Sequence, residues 1–441
     1  MVASALVVAS PWPRSGSANI FSAQARYFAS RGYKTAMLLS PHLAVQRSKY
    51  THVWEHARAT MASGDLDLMC CATATGRMKP WRSRSFFEWL ANGRDSQLAV
   101  MARYSAANAL PPELDAFLDA HPPRVLLVNH CFQMGMAATV LRRLAARGLP
   151  RPRLVLETHD VQADLYARGR VENVFRRQPD EWATLARDEL RVATPADMFT
   201  HVSERDLAYF SARLPGRHNL VLGTLAPAAE RELLAIGDPG PEAYDFVYVG
   251  NNNPGNEVSL IWFLNEVAPR LDPSVRVAVV GRIGQHLSAM QPALFARWAH
   301  WFVGEVETVT AIYERAGVVI LPTKFGTGIS IKAIEALATG RPVVATSDAL
   351  RALPAGLHCD AIARADEAAD FAAAMADVHA RRATLRGLTR DIYMQRFSNG
   401  AFFARWDAVL ADVPTGIAAA PQAERPGDTS PPASTRRCAL A

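Results

Sequence analysis

Two α/β domains, each built on a doubly wound parallel sheet, facing across a cleft and followed by a disordered tail, are predicted by three features of the sequence. Short, continuous apolar runs such as Ala5–Ala9 and Val318–Leu321 alternate with amphipathic stretches. Runs without polar alternation suit strands buried on both faces, as in parallel sheets covered by helices. The alternation breaks into Gly, Pro, Ala and Glu between about 222 and 243, then restarts, which marks a hinge. From residue 413 onward the chain turns to Pro, Ala, Ser and Thr with scattered charge, the composition of a disordered tail. These features give a first domain over residues 1–225 and a second over 243–398. Residues 399–412 form a helix that packs back on the first domain, and 413–441 the tail.

Taken in order, Ala5–Ala9 is the first strand. Val2–Ala9 has no basic leader and runs straight into Pro11-Trp12-Pro13, so it reads as a buried strand and not as a signal peptide. The loop Ser10–Ser17 leads to a helix from about Asn19 to Ser30, then a strand Lys34–Leu39. Strands are expected at Arg124–Asn129, Arg153–Glu157 and Phe199–Ser203, with a helix Met134–Arg147 between the first two. After the hinge come strand Phe246–Val249, helix Glu257–Ala268, strands Val275–Val280 and Trp301–Val303, helix Glu307–Ala316 and strand Val318–Leu321. The turn Pro322–Gly328, helix Ile329–Thr339, strand Pro342–Ala345 and helices from about Asp366 complete the domain. In such sheets ligands bind outside the strands' C-terminal ends, and two facing domains share a site in the cleft.

Composition narrows the function. With 441 residues, 49% hydrophobic and 20% charged, the chain can bury a core twice over. A net charge of +6 suits an anionic ligand or an anionic membrane face and falls short of a nucleic-acid-binding stripe. Five scattered cysteines form neither a zinc spacing nor a disulfide framework, which points to a reducing cytoplasm. Lysine occurs only at positions 34, 49, 79, 324 and 332. Two of these flank one glycine turn.

That turn lies in Leu321-Pro-Thr-Lys-Phe-Gly-Thr-Gly-Ile-Ser-Ile-Lys-Ala-Ile-Glu335. A strand ends, Gly326 and Gly328 make a tight turn around Thr327, and Ile329 and Ser330 open a helix. Unpaired N–H groups at the helix start form an anion site, most naturally for phosphate. Lys332 and Glu335, three apart, share a helix face. The lysine suits a phosphate and the carboxylate suits ribose hydroxyls. A plain glycine turn with a surface Lys–Glu pair is the alternative, although a lysine in the first turn opposes the helix dipole.

The run from Glu335 to Ala345, with the Gly250 turn and the pair His159-Asp160 upstream, resembles the GT-B-fold glycosyltransferases of the family 4-like group (glycosyl transferases group 1). The likeness spans about residues 1–412 and is strongest in the second domain. The family's Glu-x7-Glu pattern is matched at Glu335, while Thr327 stands at its first acid. The resemblance implies a retaining, metal-independent transfer of a hexose or related sugar from a nucleotide-diphosphate donor to an acceptor hydroxyl, with no cofactor. It also implies that His159 faces the donor sugar and reaction centre and that Asp160 supports it. Gly16, in the loop with Arg14 and Ser15, lies near the donor phosphates. The segment from Gly250 and Asn251 to Asn256 carries asparagines where the family often has cations near the donor diphosphate, so Arg282 and Lys332 are the substitutes for that charge. Gly304-Glu305-Val306 resembles the turn beside the nucleotide base.

Two segments carry weaker signals. Arg77, Lys79, Trp81 and Arg82 open a stretch to Trp89 that mixes cations with large aromatics. The mixture suits an acceptor site or peripheral contact with the inner face of a membrane, and equally a helix with aromatics inward and arginines in water. Asp65-Leu-Asp67 matches an Asp-x-Asp metal motif without its context. The resemblance leaves the acceptor open among a glycan, a lipid-linked sugar and a small molecule, and the pathway among capsule, exopolysaccharide, glycolipid and natural product. Two other readings keep the fold: a nucleotide-sugar epimerase, which needs further acids around the sugar, and a non-catalytic nucleotide-sugar binder.

Overall fold

Strands with no polar face need cover on both sides, and both sheets of the computed structural model have it. The structure describes residues 2–12, 16–42, 64–74, 95–173, 177–237, 242–252, 254–326, 328–351, 353–354 and 357–413. Arg14, Ser15, Thr327, the segment from Arg77 to Trp89 and the tail from residue 414 lie outside them. The first sheet contains β1 (Ser4–Ala9), β2 (Lys34–Leu39), β3 (Leu68–Cys71), β4 (Pro123–Asn129), β5 (Arg153–Glu157), β6 (Met198–His201) and β7 (Arg217–Leu220). All are parallel, in the order β3-β2-β1-β4-β5-β6-β7. Leu6 and Val8 of β1 face one buried cluster, and Ala5 and Val7 face the other.

The second sheet repeats the plan with β8 (Tyr244–Val249), β9 (Val277–Val280), β10 (Phe302–Gly304), β11 (Ala316–Leu321), β12 (Val343–Ala345) and β13 (Ile362–Arg364). Its strands are parallel, in the order β10-β9-β8-β11-β12-β13. The direction of winding reverses between β1 and β4 in the first sheet and between β8 and β11 in the second. Those two reversals are where doubly wound sheets open a crevice for ligands. The chain therefore consists of two doubly wound, Rossmann-like domains, as expected.

Several elements differ from expectation. The helix read over 257–268 is α-helical only over Pro254–Trp262 and then widens into a π turn, Phe263–Val267. Pro269 follows close behind and has no N–H to continue an α ladder. The helix read over 307–316 shrinks to Thr310–Glu314, because Ala316 already pairs with Tyr244 as the start of β11. The stretch after residue 222 is not loose chain: Val221, Leu222, Thr224 and Leu225 are buried, and a helix Pro227–Leu234 follows.

The chain crosses between domains twice, and the crossings are tied together. Thr224 Oγ1 donates to the Phe397 carbonyl at 2.5 Å. Glu230 accepts from the Asn399 backbone N–H at 2.8 Å and from Tyr393 OH at 3.0 Å. The helix Asn399–Val409 then inserts Phe402, Trp406 and Val409 among Ala5, Phe21 and Phe28 of the first domain. Among the described residues, no helix is long and apolar enough to cross a membrane.

Candidate functional site

In the second domain, β11 delivers the chain to the turn 322–330, and α-helix Ile331–Thr339 starts behind Ser330. The Ala333 and Ile334 N–H groups bond the Ser330 carbonyl, so the open donors are those of the very first residues. Ala333, Ile334, Ala336 and Leu337 bury the inner face, leaving Lys332 and Glu335 half-buried on the other. Lys332 does not pair with Glu335 within 4 Å among the described residues. Its Nζ instead donates to Asn256 Oδ1 and, at 3.4 Å, to Tyr248 OH, and it lies 4.9 Å from the Tyr248 ring centre. The lysine thus leans over the turn that follows β8. Burial pushes Lys332 down to about 8, with the Arg351 charge adding to the depression and Glu335 opposing it. Burial likewise pushes Glu335 up to about 7 against the pull of Lys332.

Gly250 and Asn251 end β8, and Asn256 Nδ2 bonds the Asn251 carbonyl at 2.7 Å. A side chain at Gly281 would meet the Gly250 carbonyl oxygen at 2.3 Å, so the ends of β8 and β9 nearly touch. Arg282, at the end of β9, is closed on Glu305, with Nε 3.0 Å from both carboxylate oxygens. An anion can use Arg282 only by competing with Glu305. The other rare lysine, Lys324, turns away to the Asp366 carbonyl and over the Trp262 ring. Arg351 escaped the sequence reading, in a chain where arginine is too common to stand out. Its Nε donates to the Gly328 carbonyl at 2.8 Å, and its guanidinium fills the space beside Gly326.

In the first domain, β5 ends at Glu157, and Thr158-His159-Asp160 leads into α-helix Gln162–Arg168. The N–H groups of Gln162 and Ala163 are capped by the buried Glu189 carboxylate at 2.7 and 3.2 Å. Glu157 is fully buried, accepts from Thr200 Oγ1 at 2.9 Å, and is pushed up to about 8 by burial. His159 adopts the left-handed conformation, φ +62°. Its ring stacks on His130 at 4.1 Å, with Phe21 edge-on at 5.5 Å, and its Nε2 lies 2.8 Å from Asn129 Oδ1. It is therefore not a local helix cap. Burial pushes His159 down to about 3, so it is neutral at physiological pH. Asp160 goes elsewhere, accepting from Gln162 Nε2.

The two halves meet at glycines. Gly328, φ +58°, is so close to the His159-Asp160 turn that a Cβ would lie 2.5 Å from the His159 carbonyl oxygen and 2.9 Å from Asp160 Cβ. A Cβ on Gly16, at the start of the first helix, would meet Ile331 at 2.9 Å, and one on Gly223 would meet both Ile20 and Ile329. His159, Asp160, Gly16, Gly328 and Ile329 are thus brought to one seam, with Ser330 and Lys332 on the helix start behind it. Gly250, Asn251 and Arg282 stand at neighbouring strand ends. Asp65 and Asp67 lie at the opposite end of the first sheet, paired with Arg26 and Lys34 at 2.6 Å each. Their charges are already met by different cations. Among the described residues, no three His, Cys, Asp or Glu side chains cluster to hold a metal.

Residues 243–381 match the family model of glycosyl transferases group 1. No curated protein matches the chain. Among solved structures, sucrose-phosphate synthase from Thermosynechococcus elongatus is similar at a TM-score of 0.61 and 14% identity, covering 93% of this chain and 98% of that one. HepE of Anabaena, in complex with UDP, is similar at 0.59 and 15% identity, covering 93% and 100%. The catalytic domain of starch synthase IV from Arabidopsis thaliana, bound to ADP and acarbose, follows at 0.56 and 11%, covering 94% and 100%. Residues 243–381 of the second domain are thus similar to glycosyl transferases group 1, on a chain whose two domains together have the GT-B fold.

Proposed function

We propose that this protein transfers a sugar from a nucleotide-diphosphate donor to an acceptor hydroxyl, with retention at the anomeric carbon and without a metal ion. The observation that carries the reading is the seam itself: the glycine turn and helix start of one domain abut the His159-Asp160 turn of the other. In the reaction the bond from the anomeric carbon to the diphosphate oxygen breaks, and a bond to the acceptor oxygen forms. The acceptor's proton leaves with the diphosphate. Catalysis then needs charge stabilisation on the leaving group and alignment of the acceptor. The first N–H groups of helix Ile331–Thr339 and the Lys332 ammonium serve the diphosphate. Arg351 braces the turn and adds positive potential, and Glu335 accepts from the ribose. His159, neutral in its buried setting, contacts the sugar and is too weak a base to take the acceptor's proton.

Neighbours of this fold are described as complexes with UDP, UDP-glucose or ADP, so uridine and adenosine diphosphate sugars are the first donors to try. The test is a thermal-shift panel of UDP, GDP, ADP, TDP and their sugars without added metal, on wild type and Glu335→Ala. One nucleotide that stabilises the wild type by several degrees, roughly what mass action gives at saturation, and not the variant, supports the site. No shift from any nucleotide refutes it. With the donor known, transfer to a panel of glycans, lipid-linked sugars and small molecules identifies the acceptor class, and the anomeric configuration of the product tests retention.

A further inference from the structure

We propose that a reciprocal amide pair, Gln24 with Asn129, fixes the tautomer of His159, making Nε2 the protonated nitrogen and Nδ1 a permanent hydrogen-bond acceptor toward the substrate. Gln24, on α-helix Gly16–Ser30, and Asn129, the last residue of the strand Pro123–Asn129, are both fully buried. Asn129 Nδ2 lies 3.2 Å from the Val8 carbonyl, a backbone oxygen that can only accept. That contact decides which end of the Asn129 amide is nitrogen. The same Nδ2 gives its second hydrogen to Gln24 Oε1 at 3.0 Å. Oδ1 on the other side accepts from Gln24 Nε2 at 3.0 Å and faces His159 Nε2 at 2.8 Å.

Both hydrogens and both lone pairs of the Asn129 amide are then accounted for. Since Oδ1 cannot donate, His159 Nε2 must carry the proton, and in a neutral imidazole Nδ1 must then be bare. A flipped Asn129 would set an N–H against each hydrogen it meets and a lone pair against the Val8 carbonyl, all in a buried setting where such losses are costly. Gln24 acts only through Asn129, and Asn129 only through His159, so both are positioning residues. The substrate group that meets Nδ1 must bring its own hydrogen, as a sugar hydroxyl does and a carboxylate does not.

Only the identity of that group rests on the transferase reading. The tautomer is measured without substrate, by long-range ¹H–¹⁵N correlation on protein labelled at its histidine nitrogens, with His159→Gln assigning the signal. The expected result for the wild type is one neutral species, protonated at Nε2. A His159 protonated at Nδ1, or at both nitrogens, at neutral pH overturns the proposal, and this arm needs no stable positioning variant. In Asn129→Leu the Nδ1-protonated form should appear, and Gln24→Leu should move in the same direction to a smaller extent. An unchanged tautomer in Asn129→Leu overturns the lock as its cause. With a turned-over donor in hand, both variants should lose tenfold or more in kcat/KM. The expected tautomer behaviour in a protein that turns over no nucleotide sugar would support the lock and count against the proposed function instead.

Discussion

Replacing Gly328 by alanine tests whether the seam between the domains sets the geometry of the reaction. Two costs follow from the structure, and they are separable. Gly328 has φ +58°, so an alanine there carries left-handed strain of roughly 1–2 kcal/mol wherever it sits. The new Cβ would also lie 2.5 Å from the His159 carbonyl oxygen, where ordinary contact begins at 3.4 Å. The shortfall of about 0.9 Å is against backbone, not the tip of a flexible side chain. His159 can hardly yield, because its own backbone is left-handed and the helix just beyond it is capped by buried Glu189. The second domain must back away by most of that distance. Misplacement of reacting groups by about 1 Å can cost about 10²-fold in rate.

Gly387→Ala supplies the control. Gly387 has φ +85° in the same domain, and a Cβ there meets nothing within 4 Å, so it carries strain without a clash. The assay is release of nucleoside diphosphate from the nucleotide sugar that most stabilises the protein, with a thermal melt of each variant. Both variants should melt earlier, and only Gly328→Ala should lose about 10²-fold in turnover. Undiminished turnover in Gly328→Ala, or an equal loss in Gly387→Ala, would refute the argument.

Other outcomes are expected. Lys332→Ala and Glu335→Ala should each weaken nucleotide binding by more than about 1.4 kcal/mol, or tenfold, by titration calorimetry, and unchanged affinity in both removes the site. Burial raises Glu335 to about 7, so its charging opposes folding as pH rises through that value, while Lys332, lowered to about 8, opposes folding as pH falls through about 8. Binding needs both charged, so nucleotide affinity should peak between about pH 7 and about pH 8 and decline on either side, and a flat profile contradicts the assignment. Trp406→Ala removes a fully buried ring from the first domain's core and should cost about 3–5 kcal/mol in denaturant unfolding. A chelator should leave transfer unchanged; a loss restored by a divalent cation would point to a metal site.

What the sequence made legible is what repeats or is rare. Strands buried on both faces are continuous apolar runs, so β1, β5, β8 and β11 stand out, whereas Arg217–Leu220 and Ile362–Arg364 are edge strands, partly exposed and polar, with no such run. Leu68–Cys71 is likewise an edge strand, only partly buried and without a β-branched residue to mark it. Lys332 could be found because lysine is scarce, and Gly328 because two glycines bracket one residue between a strand and a helix. Arg351, Tyr248 and Asn256 had no such mark. Gln24 is the instructive case. In an amphipathic helix a glutamine reads as a residue for the water face, yet this one is fully buried, and only the partner 105 residues away explains why.

The same distinction bears on how the two domains are held. At the rear, the crossings are joined by hydrogen bonds to buried groups: Thr224 to the Phe397 carbonyl, and Glu230 to both Asn399 and Tyr393. At the front, Gly328 packs against the His159 carbonyl and Gly16 against Ile331, with no side chain of either glycine to tie them. Separating the rear contacts would break the Glu230 bonds to the buried Asn399 and Tyr393, and such unmade bonds to buried groups are costly. Any opening that admits a nucleotide sugar should therefore begin at the glycine seam and pivot on the tied crossings. Substitutions at Glu230 should then change the amplitude of that motion, whereas those at Gly328 should change where it closes. Substrate-dependent scattering profiles of Glu230→Gln and Gly328→Ala would separate the two effects, and identical profiles would refute the division of roles.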